Sequence, residues 1–495
     1  MYTSLQKIIA DAGGIIPEIF LVVLLLALLL IDLLDRDQNP FVLPITTILG
    51  LTVSIILVWT CNIMGASKNG QDLLLYSGFL KLDSYTSFVK MLTSACGILA
   101  TVFSLFSHDY DRKNKNEFYY LLVTIILGLY LLLMANNWLM LFISLEVVSI
   151  GSYILTVFNF DKKGTESAIK YILFGALCSG LMLFGISLLY GLSGHLNFLT
   201  SFPSLSNEGM LLFLLAFFLA LAGLFFKISS FPFHIWAPDV YQGAPSPVVA
   251  FFSVAPKAAG LIVLYKIFLP LLAIPGEVPV ILTYLISILS IVTMTIGNFS
   301  ALVQNNLRRM LAYSSIGHAG FLLMALLAAK DLGLTAILFY LTTYVFMNFT
   351  AFVLVDVSGD KTGSYDVNNF KGLGLKMPFL GVIFVLTMIS LTGLPPTAGF
   401  YAKLFVFSAL WETYQATGNS FFIVLLLFGL FNTVISLFYY LRIPYFMYFK
   451  KEESGSILTS EPILVYTFIA LISLPLIILF FNPNWALNVI GNIKL

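Results

Sequence analysis

Charge is scarce in this chain of 495 residues: 10% are Asp, Glu, Lys or Arg, while 59% are hydrophobic. Soluble proteins carry roughly a quarter of charged residues, so this chain lacks the charge to cover a water-facing surface. Its 25 Lys plus Arg and 24 Asp plus Glu leave a net charge of +1, which gives no basic excess to attract nucleic acid. Cysteine is nearly absent. Cys61, Cys96 and Cys178 lie in apolar runs without paired spacing and read as small buried hydrophobes, not disulfides or metal ligands. Four histidines, no Cys/His cluster and no Gly-rich phosphate loop leave no visible site for a metal, haem, iron–sulfur cluster, flavin or nucleotide. If the chain serves a redox machine, the redox centres belong to other subunits.

Long apolar runs are abundant. Fourteen can be counted, at 15–34, 41–64, 84–107, 118–135, 137–158, 168–190, 210–231, 247–270, 279–302, 308–328, 332–357, 377–411, 420–449 and 461–482. At about 20 residues per span they would occupy about 280 residues, close to the hydrophobic share. The first run is long for a signal-peptide core and has no A-x-A cleavage site after it, so it reads as a retained span. The fold class is therefore an all-α polytopic membrane protein of about 14 transmembrane helices. The twelfth run carries Gly393-Leu394-Pro395-Pro396 at its middle, which predicts a broken helix. The seventh ends in Ser229-Ser230-Phe231-Pro232 and predicts a second break there.

Loop cations set the orientation. Loops after odd-numbered spans hold Arg36; Arg112, Lys113 and Lys115; Lys162 and Lys163; Arg308 and Arg309; Lys361, Lys371 and Lys376; and Lys450 and Lys451. The opposite side holds only Lys7, Lys68, Lys81, Lys330 and Lys494. The positive-inside rule then makes the odd loops cytoplasmic and puts both termini on the non-cytoplasmic side.

Seven cations remain in or at the edges of spans: Lys90, Lys170, Lys227, Lys257, Lys266, Lys403 and Arg442. A charge near the bilayer centre costs on the order of 2.5–3.5 kcal/mol on the insertion scale, so it is expected to face the bundle interior and to have a role. Lys257 follows Pro256 near the middle of its span, where a relay and a structural pair with Glu146 are the competing readings. Glu146, also central, needs either a proton or a cation. Lys170 can supply that cation, or form an ordinary i, i+4 pair with Glu166. Lys227 and Lys403 stand beside the two broken helices, where freed carbonyls and water lower the cost of an amine. His318 is central in its span and is either a hydrogen-bonded core histidine or a proton relay. Lys90, Lys266 and Arg442 lie near span ends and read as snorkelling anchors. Burial disfavours a charged amine and a nearby carboxylate favours it, so a moving acid could switch such a group between binding and releasing a proton.

The stretch Phe226-Lys227-Ile228-Ser229-Ser230-Phe231-Pro232-Phe233-His234-Ile235-Trp236-Ala237-Pro238-Asp239-Val240-Tyr241-Gln242-Gly243-Ala244-Pro245 resembles the signature of the antiporter-like membrane subunits of respiratory complex I, the proton-pumping NADH:quinone oxidoreductase. The resemblance extends to Lys257, to Leu311-Ala312-Tyr313-Ser314-Ser315-Ile316-Gly317-His318, and to Ser390 through Phe400, and covers nearly the whole chain. Within that family the chain is similar to the subunit N branch; Lys403, in place of an acid, separates it from subunit M, and no long lateral helix beyond span fourteen argues for subunit L. The resemblance implies that Glu146 pairs with Lys170, and that Lys227, Lys257, His318 and Lys403 carry protons. It also implies two inverted five-helix repeats, spans four to eight and nine to thirteen, with helices seven and twelve discontinuous. The corresponding organisation is one integral membrane domain over 1–495: an N-terminal three-helix segment over 1–117, repeats over 118–270 and 279–449, and a C-terminal helix over 450–495. NADH, FMN, iron–sulfur clusters and quinone are expected in partner subunits, the partners being the other membrane and peripheral subunits of complex I, neighbouring antiporter-like subunits and the lipid bilayer. The implied location is the bacterial inner membrane. A cation/proton antiporter subunit of a multi-subunit transporter, and a structural spacer with static ion pairs, are the alternative readings.

Overall fold

The computed structural model describes residues 11–34, 39–64, 73–107, 115–201, 207–272, 277–328, 330–451 and 462–491. Lys7, Arg36, Lys68, Arg112, Lys113 and Lys494, six of the cations that orient the chain, lie outside them.

All fourteen apolar runs are helical. The N-terminal segment contains α1 (Ile16–Leu34), α2 (Val42–Leu57, continued by a π-helical turn Val58–Met64) and α3 (Ser84–Ser104). A small antiparallel hairpin, β1 (Leu73–Leu75) and β2 (Leu80–Leu82), precedes α3 and pairs Leu73 with Leu82. Then follow α4 (Lys115–Met134), α5 (Trp138–Thr156), α6 (Lys162–Ser193), α7 (Asn207–Ala220), α8 (Ala222–Ile228), α9 (Trp236–Gly243) and α10 (Ser246–Leu272). The second half holds α11 (Glu277–Leu302), α12 (Leu307–Ala325), α13 (Lys330–Thr362), the single turn α14 (Leu373–Lys376), α15 (Pro378–Thr392), α16 (Ala398–Thr417), α17 (Phe421–Phe449), α18 (Ile463–Phe481) and α19 (Asn484–Gly491). Polar side chains cap several starts: Asn137, Asp161 and Asn306 accept from the backbone N–H groups of Met140, Gly164 and Arg309.

Among the described residues, eleven helices are long and apolar enough to span a bilayer, and α7 with α8, bent by 41°, makes a twelfth. The remaining two runs are α12 and the pair α15 and α16. They fall short for a chemical reason. α12 carries Arg308, Arg309 and His318, while the twelfth run is cut by its prolines into one short helix and one that bears Lys403 and Glu412. Burial identifies the axis of the bundle: all of the most apolar stretch of α10 and 89% of that of α13 are inside the protein, against 28% for α1.

The break in the twelfth span falls where its prolines predict it, with Gly393 left-handed at φ 88°. The seventh differs. Its first interruption is at Leu221, between α7 and α8, and only then does Ser229, at φ 59°, end the helix before Pro232. No proline marks Leu221, and the nearest glycine, Gly223, lies two residues on inside α8, so composition did not place this bend.

Three cations depart from the sequence reading. Lys90 and Lys266 are not snorkelling anchors: Lys90 is fully buried and bonded to Glu18 at 2.5 Å, and Lys266 is 7% exposed and paired with Asp83 at 3.1 Å. Their acids come from distant parts of the chain, which position within a span does not reveal. Arg308, counted as a loop cation, is buried, 3.1 Å from Asp356, with its guanidinium 3.7 Å from the Tyr365 ring centroid. Ser107 and Ser246 donate to the same Asp356 carboxylate at 2.8 and 2.6 Å, tying the ends of α3, α10, α12 and α13 together.

Two substitutions test this packing. A Cβ on Gly297 would lie 2.5 Å from the Gly317 backbone nitrogen, so Gly297→Val should push α11 off α12 and cost about 1–3 kcal/mol, read as a lower thermal midpoint in detergent. Arg308→Ala strands the Asp356 carboxylate and should cost about 3–5 kcal/mol, while Arg308→Met with Asp356→Leu should recover most of that loss in the same assay.

Candidate functional site

The buried ionisable groups follow the middle of the bundle through both halves. In the first half, Glu146 sits midway along α5, half-buried, and accepts a hydrogen bond from the Ser179 hydroxyl of α6. One turn further, the buried Ser149 and Ser152 accept from the Lys227 amine at 3.4 and 3.5 Å. Lys227 occupies the last turn of α8, where the left-handed Ser229 stops the helix and the negative end of the helix dipole favours a cation. Its amine also faces the Tyr171 ring at 5.8 Å, and Tyr171 stacks on Trp236 at 4.3 Å. Ser149 and Ser152 thus place Lys227 on the same stretch of α5 that carries Glu146.

Lys170 is elsewhere. Its amine lies 2.8 Å from Glu166 and 3.0 Å from Asp239, with its side chain 40% exposed. The expected Glu146–Lys170 contact is not made, and the reason is axial distance. Glu146 is level with Ser179, nine residues beyond Lys170 on the same helix, a rise of about 13.5 Å that exceeds the reach of the two side chains. Asp239, in α9, is shared: Arg309 donates to its other oxygen at 2.6 Å and to Gln242 at 3.1 Å. Partial burial opposes ionisation of Asp239, but hydrogen bonds from Lys170 and Arg309, together with their charges, hold its carboxyl below the ordinary carboxylate range.

In the centre, Lys257 of α10 donates to the Ser315 hydroxyl of α12 at 2.5 Å, and Tyr344 of α13 donates to the same oxygen at 2.9 Å. The Tyr241 ring lies 5.6 Å from the amine. His318, one turn along α12 from Ser315, is held at both ring nitrogens, Nδ1 by the Tyr340 hydroxyl at 2.6 Å and Nε2 by the Tyr440 hydroxyl at 3.0 Å. Tyr440 continues the chain to Ser314. Lys403 of α16 turns back across the break and donates to the Thr392 carbonyl, the last of α15, at 2.6 Å, with the Phe321 ring 4.7 Å away. A Cβ on Gly393 would sit 2.6 Å from the Lys403 side chain, so a residue without one is needed there. His318, Lys403, Ser314, Tyr439, Tyr440 and Asn298 line one narrow cavity, too small in this conformation for a water molecule.

Among the described residues no ion pair includes Lys227, Lys257 or Lys403. The static Lys257–Glu146 pair is therefore not formed. These amines are solvated by hydroxyls, a carbonyl and ring faces, which can follow a proton on or off. Five of the six sequence candidates line this axis, and Lys170 stands apart with Asp239. Sequence reasoning missed Asp239 and Arg309 as a pair and missed the tyrosines Tyr340, Tyr344 and Tyr440. The signal for the tyrosines was available: phenols inside strongly apolar helices, two of them at i, i+4, need buried partners.

Residues 135–436 match the family model described as NADH:quinone oxidoreductase/Mrp antiporter, transmembrane. The NADH-quinone oxidoreductase subunit N of Chlorobium chlorochromatii is 37% identical over 93% of this chain and 91% of its own length. Subunit N 2 of Chloroherpeton thalassium is also 37% identical, over 90% of this chain and 87% of its own. A chain of respiratory complex I from Thermus thermophilus, solved with bound aureothin, superposes with TM-score 0.78 at 29% identity, over 97% of this chain and all of that one. A chain of the Mrp complex of Dietzia sp. shares the fold, at TM-score 0.81 and 18% identity, over 97% of this chain and 96% of that one. With the helix order, the two broken spans and this likeness over nearly its whole length, the chain belongs to the NADH-quinone oxidoreductase subunit N family within the NADH:quinone oxidoreductase/Mrp antiporter class of membrane proteins.

Proposed function

We propose that this chain is a proton-translocating membrane subunit of NADH:quinone oxidoreductase, seated in the bacterial inner membrane with both termini on the non-cytoplasmic side. It is driven by electron transfer from NADH to quinone in partner subunits, which carry FMN and the iron–sulfur clusters. The observation that carries the reading is the row of buried amines held by neutral groups, Lys227, Lys257 and Lys403, with His318 bound at both nitrogens between the last two. A static scaffold would pair each amine with a carboxylate, as Lys266 and Arg308 are paired.

In this reading 118–270 and 279–449 act as two five-helix units. Glu146 senses the neighbouring subunit's charge state at the edge of the first unit, and its field at Lys227 changes when it gains or loses a proton. Lys257 takes protons from the first unit, and the Ser315, Tyr344, His318 and Tyr440 groups carry them to Lys403. Each transfer moves one proton between hydrogen-bonded nitrogens and oxygens, so a cofactor is not required on the path. Lys170 and Arg309 share Asp239 of α9, which ties α6 to α12 and thereby one unit to the other.

The decisive experiment is Lys257→Ala in the assembled complex reconstituted in vesicles. NADH oxidation should continue while protons moved per electron fall sharply; a wild-type ratio would sink the assignment, and poor assembly with a normal ratio would mark a spacer. Sodium-dependent proton exchange without NADH oxidation would instead indicate the antiporter reading. The position of Lys170 is tested separately by double-mutant cycles on thermal stability: Lys170 and Asp239 should couple by about 0.5–3 kcal/mol, and Lys170 and Glu146 by less than about 0.5 kcal/mol.

A further inference from the structure

Helix α3 lies outside both proposed five-helix units, yet one of its faces is polar along its length. Asp83, Ser87, Lys90, Ser94, Thr101 and Ser104, with Gly97 among them, recur at spacings of four and three and are all buried. Such a stripe alone would be a packing surface for α2 and α4. Two further observations set it apart. The first is the Lys90–Glu18 pair, whose Lys90 amine also lies 5.3 Å from the Tyr130 ring; Glu18 is 3% exposed, and its second oxygen, Oε2, has no hydrogen-bond partner among the described residues. The second is a cavity of about 1030 Å³, bounded by Lys81, Lys266, Tyr85, Asn136, Asn197 and Thr413, at the membrane face where α3 begins and α10 ends.

Asp83 connects the two. It lies 3.1 Å from Lys81 and 3.1 Å from Lys266, both of which line the cavity. Lys90 stands seven residues from Asp83, about 10 Å along the same helix face. Ser87 lies between them and donates to the Asp83 carbonyl at 2.9 Å.

We propose that Glu18 and Lys90 form a further protonatable site of this pump, reached from the cavity through Lys266, Asp83 and Ser87. Uptake of one proton at Oε2 converts the Glu18 carboxylate to the acid beside a charged Lys90; the Lys90 ammonium then releases its proton, and the acid proton of Glu18 passes to the neutral amine, which restores the ion pair. The site gives the N-terminal three-helix segment a place in proton traffic at that face. This inference rests on the proton-translocating reading.

The alternative is a static pair that fastens α1 to α3, and one substitution separates the two. Lys90→Arg keeps the charge and the pairing with Glu18, but a guanidinium does not give up its proton in a protein. In holoenzyme vesicles, Lys90→Arg should support NADH oxidation with a loss in protons moved per electron; a wild-type ratio overturns the proposal. If Arg does not fit and assembly fails, Glu18→Leu with Lys90→Met replaces the pair by apolar groups that a merely structural site tolerates. That double variant should show the same loss, and a wild-type ratio again overturns the proposal. A Lys257→Ala complex that pumps fully would overturn the underlying proton-translocating reading; loss in Lys257→Ala with a full ratio in Lys90→Arg would overturn only the role of Glu18 and Lys90.

Discussion

Removing a charge from water without compensation costs several kcal/mol even after the protein relaxes, and that cost organises this molecule. Two solutions appear side by side. Lys90, Lys266 and Arg308 each meet a carboxylate, and each of these pairs joins two elements: α1 to α3, α10 to the start of α3, and α12 to α13. Lys227, Lys257 and Lys403 meet hydroxyls, a carbonyl and aromatic faces instead. A pair with a carboxylate favours the charged form of the amine. Neutral dipoles serve both forms, because a hydroxyl that accepts from an ammonium can turn to donate to an amine. The pairs of Lys266 and Arg308 hold the bundle together, and in the proposed function the neutral-dipole sites are where protons move.

The broken helices follow from the same constraint. An intact helix offers a buried amine no free carbonyl, since all but its ends are spent within it. Interrupting the span creates ends at membrane depth. Lys227 sits on such an end, just before the left-handed Ser229, and Lys403 reaches back to the final carbonyl of α15. The two sites use opposite halves of their broken spans, the lysine preceding one break and following the other. At the first break Trp236 donates to the Phe226 carbonyl.

Span positions were legible in the sequence because hydropathy over twenty residues is a strong signal, and the break at Gly393 was legible because two prolines cannot continue a helix. What was lost was lost to three-dimensional neighbours. Lys90 and Lys266 look like anchors from their place near span ends, and only the fold brings in Glu18, 72 residues away in sequence from Lys90, and Asp83. The bend at Leu221 has no proline to mark it, and the sequence placed the break of this span only at Pro232. Lys170 shows the limit of family likeness: the resemblance pairs it with Glu146, while the i, i+4 spacing to Glu166 and the adjacency of Asp239 decide its position. The buried tyrosines were legible as buried but not as the hydroxyls that flank His318.

The cavity shared by His318 and Lys403 is too tight for water, although ten residues line it and most of them are polar. A proton can cross it only through side chains already in contact or when the helices part. The first route is complete from His318 to Ser314 through Tyr440, but it ends before Lys403, whose amine is committed to the Thr392 carbonyl. Transfer to Lys403 therefore requires that bond to loosen, and the residue at its pivot is Gly393, which packs against the lysine stem. In the proposed function, a shift of α16 relative to α15 changes this contact and so couples displacement at the break to proton transfer into Lys403, which is how energy released far away reaches a chain whose visible chemistry is its own acids, amines, phenols and imidazole.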